Sequence, residues 1–413
     1  MNTHSSGNAG YGGLDLFRLP AALLVIAIHT SPLSSFHQGA DFFLTRILAR
    51  ISVPFFFMVT GHFVVSRFYA EPDSSGRVLK NCLKKYLLLY AGASLLYLPA
   101  GIYAGHYKGL LPGDILRMLF FDGTFYHLWY FPACLLGICL LYLFSRFLNL
   151  DGALALSLLL YIPGLLGDSY YGLTLGLPFL ETLYGKLFSL FSYTRNGLFF
   201  APLFLCLGAW CAINSGKRPS PAGRWLKPCG LALCFLLMTA EAFLLRGLSW
   251  QRHDSMYLLL PPVMLFLYGT LLQLPIPAPG CGRLLRRTAL WVYLLHPGVI
   301  IGVRGLAKLL RLTGLLVDNS LVHFLVVAGI SLCVSLGLAR LQLWLLHRRY
   351  SAARKPSPNL FHSAGSLQNL SCPSGSLHGI SCGRAWIELD RQALAKNVAF
   401  LTSLLPKDRK SVV

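Results

Sequence analysis

Two ionisable residues, Arg18 and His29, flank the first long apolar run of the sequence, LDLFRLPAALLVIAIHTSPL. On a helix they would lie about 16 Å apart along the axis and on nearly the same face. A neutral imidazole can act as general base toward a hydroxyl, and a guanidinium can hold a phosphate or carboxylate. The alternative is that His29 marks one membrane interface and Arg18 snorkels to the other. Ionisable residues in apolar spans favour the functional interpretation.

A second group of candidates lies in RILARISVPFFFMVTGHF. Arg50 opens an apolar run in which Pro54 would interrupt helical hydrogen bonds, and Gly61 would permit close helix packing. Proline kinks often line cavities, so Arg50 is a candidate substrate-binding residue. An ordinary kinked packing helix explains the same pattern equally well.

Three more candidates for substrate binding come from TRNGLFFAPLFLCLGAW and WVYLLHP. Arg195 and Asn196 precede an apolar run, where they could hold a polar substrate or simply cap a helix. His296 stands before Pro297, where it could be part of a site or a structural irregularity.

The segment FYHLWYFPACLLG carries His127, Trp129 and Tyr130 at the start of another apolar run. This pattern is typical of an aromatic belt at a membrane interface, so we interpret these residues mainly as anchors. The sequence has no phosphate-binding loop, dinucleotide fingerprint or recognisable Ser-His-Asp signature.

The elements that must position these residues are membrane-spanning helices. The chain is 55% apolar and 12% charged, with a mean hydropathy of +0.59, and its apolar runs are long enough to cross roughly 30 Å of hydrocarbon. In lipid such runs must be helical. The sequence therefore predicts an all-α bundle of about ten transmembrane helices, near 14–33, 47–66, 82–104, 128–148, 152–167, 196–214, 229–246, 256–273, 287–307 and 321–346.

The net charge is +21, and the Lys and Arg residues are concentrated in the short connectors between apolar runs. This distribution is typical of residues that set membrane topology, so we do not expect nucleic acid as a partner. The charge bias predicts that both termini of this multi-pass protein are cytoplasmic. The eleven cysteines form no CxxC pair, so neither disulfides nor a metal site are expected. The first 13 residues lack a basic region, and we expect no removed signal peptide.

The composition changes after the transmembrane domain, which we place at 14–347. Residues 348–383 are rich in Ser, Gly and Pro and are typical of a flexible linker. Residues 384–413 then predict a short strand followed by an amphipathic helix, the start of an α/β domain.

Taken together, the five motifs quoted above, in this order over 14–346, resemble the integral-membrane acyltransferase family 3. The resemblance implies transfer of an acyl group from a cytoplasmic donor, often an acyl-CoA, to a hydroxyl acceptor, with His29 and Arg18 in the principal motif.

The tail RAWIELDRQALAKNVAFLTSLLP resembles the opening of the alanine racemase fold. Both parts together resemble the membrane-bound serine/alanine racemases of vancomycin-resistance clusters, whose membrane half is associated with supplying L-serine. The segment that would carry the lysine binding pyridoxal phosphate is not in this sequence. We therefore expect a truncated racemase fragment without racemase activity and without a cofactor of its own.

Three hypotheses follow for the membrane domain. It is an acyltransferase for groups other than amino-acyl groups, with His29 as base and Arg18 orienting the donor. Alternatively, it takes up or delivers L-serine without acyl transfer, or it only anchors a racemase. The intramembrane polar residues count against the anchor alone.

Overall fold

A computed structural model of the chain describes residues 11–214, 223–274 and 281–353, and within these ranges it contains helices and no strands. The predicted all-α bundle is confirmed. Ten helices correspond to the ten predicted runs: α1 Gly12–Thr30, α2 Gln38–Ala70, α3 Ser75–Tyr103, α4 Tyr130–Phe144, α5 Leu150–Leu166, α6 Ala201–Asn214, α7 Gly223–Gly247, α8 Leu260–Gln273, α9 Gly282–Leu309 and α10 Ser320–Ala353. The last helix continues past the predicted boundary at 347. The predictions for the rest of the linker and for 384–413 concern residues outside the described ranges.

The surface of the bundle is apolar, as lipid contact requires. Large side chains such as Leu88, Leu95 and Leu309 are more than half exposed on long helices. Six of the helices are long and apolar enough to cross a membrane, and α4, α5, α6 and α8 are shorter apolar helices. Since such helices satisfy their own backbone groups, the chain is a multi-pass membrane protein.

Contacts between helix ends define two ends of the bundle. Asp15 near the start of α1 meets Arg286 near the start of α9, and Pro32 just after α1 meets Ser320 at the start of α10. We call the end where α1 begins the N-terminal end and the end where α1 finishes the far end. Two short helices that the sequence did not predict, Pro112–Arg117 and Pro178–Leu190, belong to the connections at the far end. Neither of them contains an apolar run long enough to predict a transmembrane helix from the sequence.

Helix α2 changes its winding near Pro54, as predicted for an interrupted helix. A proline cannot donate to the carbonyl four residues earlier, and its ring crowds that carbonyl, which here belongs to Arg50. The turn at Leu48–Ile51 is accordingly a 3₁₀ turn, and π-helical segments lie at Phe43–Ile47 and Gly61–Val65. Arg50 therefore lies on the one tightened turn of the helix.

The crossing of α2 and α6 is closer than side chains would allow. A Cβ at Gly61 would lie 1.8 Å from the carbonyl oxygen of Leu205, and one at Gly208 would lie 2.0 Å from that of Met58. Each glycine thus admits the backbone of the other helix, which confirms the predicted packing role of Gly61.

We expect Gly61→Ala to lower the melting temperature of the detergent-solubilised protein by several degrees. The added methyl group overpacks a backbone contact, which costs about 1–3 kcal/mol. The matched control is Gly92→Ala in α3, where a Cβ meets nothing within 4 Å. Equal melting temperatures for the two variants would contradict this packing.

Candidate functional site

His29 lies in the last turn of α1, two residues before Ser31, which adopts a left-handed conformation with φ 46° and ends the helix. Its imidazole stacks on that of His296, with ring centroids 5.3 Å apart, and meets the Tyr126 ring edge-on at 4.9 Å. The structure thus brings together two of the residues that the sequence singled out on separate helices.

The side chain of His296 has a defined tautomer because of Pro297. The proline has no amide to donate to the carbonyl of Tyr293, and the Nδ1 of His296 lies 2.9 Å from that oxygen and 3.1 Å from the carbonyl oxygen of Val292. Since carbonyl oxygens only accept, Nδ1 must carry the proton. The buried Nε2 is therefore the lone-pair nitrogen of the neutral ring, and it has no hydrogen-bond partner among the described residues.

A third histidine, His127, joins this group. Its ring lies 5.4 Å from that of His296, and the residue is 2% exposed. Both of its ring nitrogens are buried without a hydrogen-bond partner in the described structure. The interpretation of His127 as an interfacial anchor is therefore wrong. The sequence did not reveal this position, because a histidine flanked by aromatic residues gives the same pattern at a membrane interface and at a buried site.

A large cavity of about 690 Å³ opens between α1, α2, α3, α4 and α9 and approaches the histidines. Its lining includes Val25, one helical turn before His29, and Tyr293, one turn before His296. Tyr130 lines it too, although the sequence suggested only an anchor. The opposite part of the lining is basic. Among the described residues that line the cavity, Glu71 is the only acidic one, and five are cations: Arg18, Arg67, Arg77, Lys85 and Arg286.

Arg18 is held at this cavity by Asp15, a carboxylate that is only 3% exposed. Asp15 accepts from the Nε of Arg18 at 3.2 Å and from Arg286 at 2.5 Å. The first residue of α9, Gly282, leaves room for this carboxylate, because a Cβ there would lie 2.8 Å from its oxygen. One buried carboxylate therefore fixes two guanidinium groups on the cavity wall.

The other predicted arginines lie at the far end. Arg50 and Arg46 both donate to the same oxygen of Asp254, Arg46 at 3.0 Å. Arg195 donates to the Ser255 hydroxyl at 2.8 Å and stacks on the ring of Tyr193. A small cavity of about 20 Å³ separates Arg50 from Arg195 and is also lined by Ile28, the neighbour of His29.

Charge and burial shift the pKa values of the far-end carboxylates in opposite directions. Burial alone would raise the pKa of Asp254, but Arg50 and Arg46 lower it below its ordinary value, so this carboxyl is ionised. Burial raises the pKa of Asp168, although Arg195 and the amides of Ser255 and Met256 oppose the shift.

Asn196 differs from the other candidates because its side chain forms its hydrogen bonds with backbone groups. Its Oδ1 accepts from the amides of Leu198 and Phe199 at 2.9 and 3.2 Å, and its amide donates to the carbonyl of Tyr193. The residue is 1% exposed. Its contacts match the capping alternative stated above.

The described part of the chain holds no group of three or more His, Cys, Asp or Glu residues placed to bind a metal ion. Several of its cysteines, such as Cys134 and Cys206, are buried among apolar side chains.

Comparison with known proteins decides the family, since the acyltransferase domain profile matches residues 11–340. The chain belongs to the acyltransferase 3 family. No solved structure matches this acyltransferase 3 protein.

Three curated relatives of this acyltransferase 3 protein carry racemase names. An amino-acid racemase of Enterococcus faecalis is 36% identical over 92% of the chain and 53% of its own length. A second one from the same organism is 40% identical over 76% of the chain and 44% of its own length. The serine/alanine racemase of Enterococcus gallinarum is 34% identical over 87% and 51%. The chain thus spans about half the length of these relatives.

We expect Asp15→Asn to lower the free energy of unfolding of this acyltransferase 3 protein by about 1–3 kcal/mol, because two guanidinium groups lose their shared carboxylate. Melting of the solubilised protein, followed by tryptophan fluorescence, measures the effect. Asp73→Asn is the matched control, because it removes the same charge from an exposed site. A melting temperature equal to that of the control would show that the buried carboxylate is not needed for stability.

Proposed function

We propose that the chain transfers an acyl group from an anionic donor, of the acyl-CoA type, to a hydroxyl acceptor, with His29 as general base. The observation that carries the proposal is the cavity of about 690 Å³, which extends from a basic wall to within one helical turn of His29 and of His296. Its volume is in the range of small-molecule sites.

The lining of the cavity suits a donor with phosphates at one end and an acyl chain at the other. Arg18 and Arg286 present fixed guanidinium groups, which bind phosphate well. The deeper lining is apolar, including Val25, Val53 and Val59. Arg18 would thus orient the donor so that its thioester lies near His29.

The transfer step requires one base and one leaving group. The acceptor hydroxyl would lose its proton to His29 while its oxygen bonds to the acyl carbonyl carbon. The bond from that carbon to sulfur then breaks, and the leaving thiolate takes up the proton from His29. Products are an ester and a free thiol, so no oxidant or further reactant is needed.

His296 would support this step from beside His29. Its Nδ1 is occupied by backbone carbonyls, so the ring is held in place with Nε2 on the buried side of the cluster. A ring fixed in this way holds the stacked imidazole of His29 in position to accept the proton of the hydroxyl.

The orientation that fits this function places the N-terminal end in the cytoplasm of a bacterial cell. The excess of Lys and Arg in the connectors on that side supports this placement. The donor would then enter from the cytoplasm, and the acceptor would approach from the outer face of the plasma membrane.

A second candidate function is delivery of L-serine without acylation. It is favoured by the names of the relatives, one of which is a serine/alanine racemase, although the chain spans only about half of their length. The resemblance implies pyridoxal phosphate only for the racemase part of a full-length relative, and we assign no residue of this chain to it. In this case the same polar residues would shape a path for the amino acid.

We expect His29→Ala to abolish nearly all transfer from labelled acetyl-CoA in membrane vesicles while the protein inserts normally, because the base is lost. The control is His106→Ala, which removes an exposed imidazole. Labelled L-serine is supplied in a parallel assay. If wild-type vesicles accumulate L-serine without forming any acylated product, acyl transfer is contradicted and delivery of L-serine becomes the favoured function.

We also expect Val25→Phe to shorten the range of acyl chains that are used. The larger side chain fills the deep part of the cavity, so kcat/KM should fall more for octanoyl than for acetyl donors. Leu16→Phe serves as control, because Leu16 is 42% exposed and does not line the cavity. An equal loss for both donors would mean that the acyl chain lies elsewhere.

A further inference from the structure

Tyr97, near the end of α3, contacts two other parts of the chain close to the histidines. The residue is only 3% exposed and packs in a cluster that includes Phe125 and Leu294. Phe125 belongs to the segment 123–129, which leads into α4, and Leu294 belongs to α9. Tyr97 therefore joins α3 to the two elements that carry the other histidines of the group around His29.

The hydroxyl of Tyr97 lies between two backbone groups of α9. It donates to the carbonyl of Leu294 at 2.6 Å and accepts from the amide of Gly298 at 3.1 Å. In a regular α-helix these two groups, four residues apart, bond to each other. A side chain that enters this ladder is a known cause of a helix kink. The turn from Leu294 to Gly298 is thus completed by a residue of another helix.

This turn contains the histidine and the proline of α9. Pro297 has no amide to offer to the carbonyl of Tyr293, and the Nδ1 of His296 lies 2.9 Å from that oxygen. The next carbonyl along the helix is that of Leu294, to which the hydroxyl of Tyr97 donates. Two side chains therefore complete the backbone hydrogen bonds around the proline. The position of the imidazole in this turn depends on both.

The ring of Tyr97 supports a second contact of His29. It stacks on the ring of Phe125, with centroids 4.8 Å apart and an angle of 13°, and it meets the ring of His127 edge-on at 4.9 Å. Between these two residues lies Tyr126, whose ring contacts that of His29. Because both neighbours of Tyr126 pack on Tyr97, the backbone that carries Tyr126 is held against α3.

We propose that Tyr97 is a positioning residue for His29. Among the described residues, the imidazole of His29 contacts two aromatic rings, those of His296 and Tyr126. The hydroxyl of Tyr97 holds the turn that carries the first ring, and its own ring holds the segment that carries the second. This inference rests on the proposed function, in which His29 takes the proton of the acceptor hydroxyl.

Tyr97→Phe keeps the ring and removes the hydroxyl. The amide of Gly298 and the carbonyl of Leu294 can then bond to each other, so the melting temperature should stay within about 2 °C of the wild-type value. Closing this turn shifts His296 relative to His29. We expect the maximal rate of transfer from labelled acetyl-CoA in membrane vesicles to fall about tenfold to a hundredfold, because small displacements of catalytic groups slow the reaction strongly. The KM for acetyl-CoA should not change, since Tyr97 is not among the described residues that line the large cavity.

A second measurement does not depend on acyl transfer. Solid-state nitrogen NMR of the full chain, carrying isotope-labelled histidine, reports which ring nitrogen of each imidazole is protonated. In the wild type, His296 should carry its proton on Nδ1, and its signal is assigned by its loss in His296→Gln. In Tyr97→Phe the carbonyls of Val292 and Tyr293 move relative to Nδ1, so a signal of the Nε2-protonated form should appear.

The matched control is Tyr103→Phe, which removes a hydroxyl from the same helix at a residue that is 96% exposed. It should equal the wild type in transfer, melting and NMR signals. An unchanged His296 signal in Tyr97→Phe would overturn the positioning role, and so would undiminished transfer. Melting well below that of the control would assign Tyr97 to packing and would also overturn it. If the wild type transfers nothing and the His296 signal still changes in Tyr97→Phe, the proposed function fails, whereas the hold of Tyr97 on His296 stands.

Discussion

Backbone groups that cannot reach water must be satisfied within the protein, and two prolines show how this constraint shapes the site. Pro54 and Pro297 each leave a carbonyl without its usual amide partner, at Arg50 and at Tyr293. In α2 the preceding turn tightens and carries Arg50. In α9 the helix continues, and His296 donates to the free carbonyl. The same local defect thus fixes a guanidinium group in one helix and an imidazole tautomer in the other.

The polar residues of the bundle are divided between two regions with the histidines between them. At the N-terminal end, Asp15 holds Arg18 and Arg286 on the wall of the large cavity. At the far end, Asp254 holds Arg46 and Arg50. Both carboxylates connect side chains from different parts of the chain, so each arginine cluster forms only when the helices have packed. Under the proposed acyl transfer, the two regions would provide two approaches to His29.

Much of this arrangement could be predicted from sequence, since the apolar runs locate all ten helices from α1 to α10. Arg18, His29, Arg50, Arg195 and His296 stood out because charged or ionisable residues are rare in apolar surroundings. The predictions could not say which residues share a cavity, because helix rotation is set by contacts such as that of Gly61 with Leu205. His127 was misread for the same reason. The partners Asp15 and Asp254 gave no signal, since a lone carboxylate near a helix end is ordinary.

The layer around His29 also has an electrical consequence. Val25 lines the large cavity and Ile28 the small one, so along α1 the two are only three residues, about 5 Å, apart. Solvent in the large cavity would carry the potential of one compartment as far as Val25, so the membrane voltage would fall mainly across the part of the bundle beyond it. An elementary charge crossing there would exchange about 2.3 kcal/mol per 100 mV with the field. A proton that moves only between the hydroxyl of the acyl acceptor and an imidazole in this layer does not cross the membrane. The barrier to ion leakage therefore stays intact.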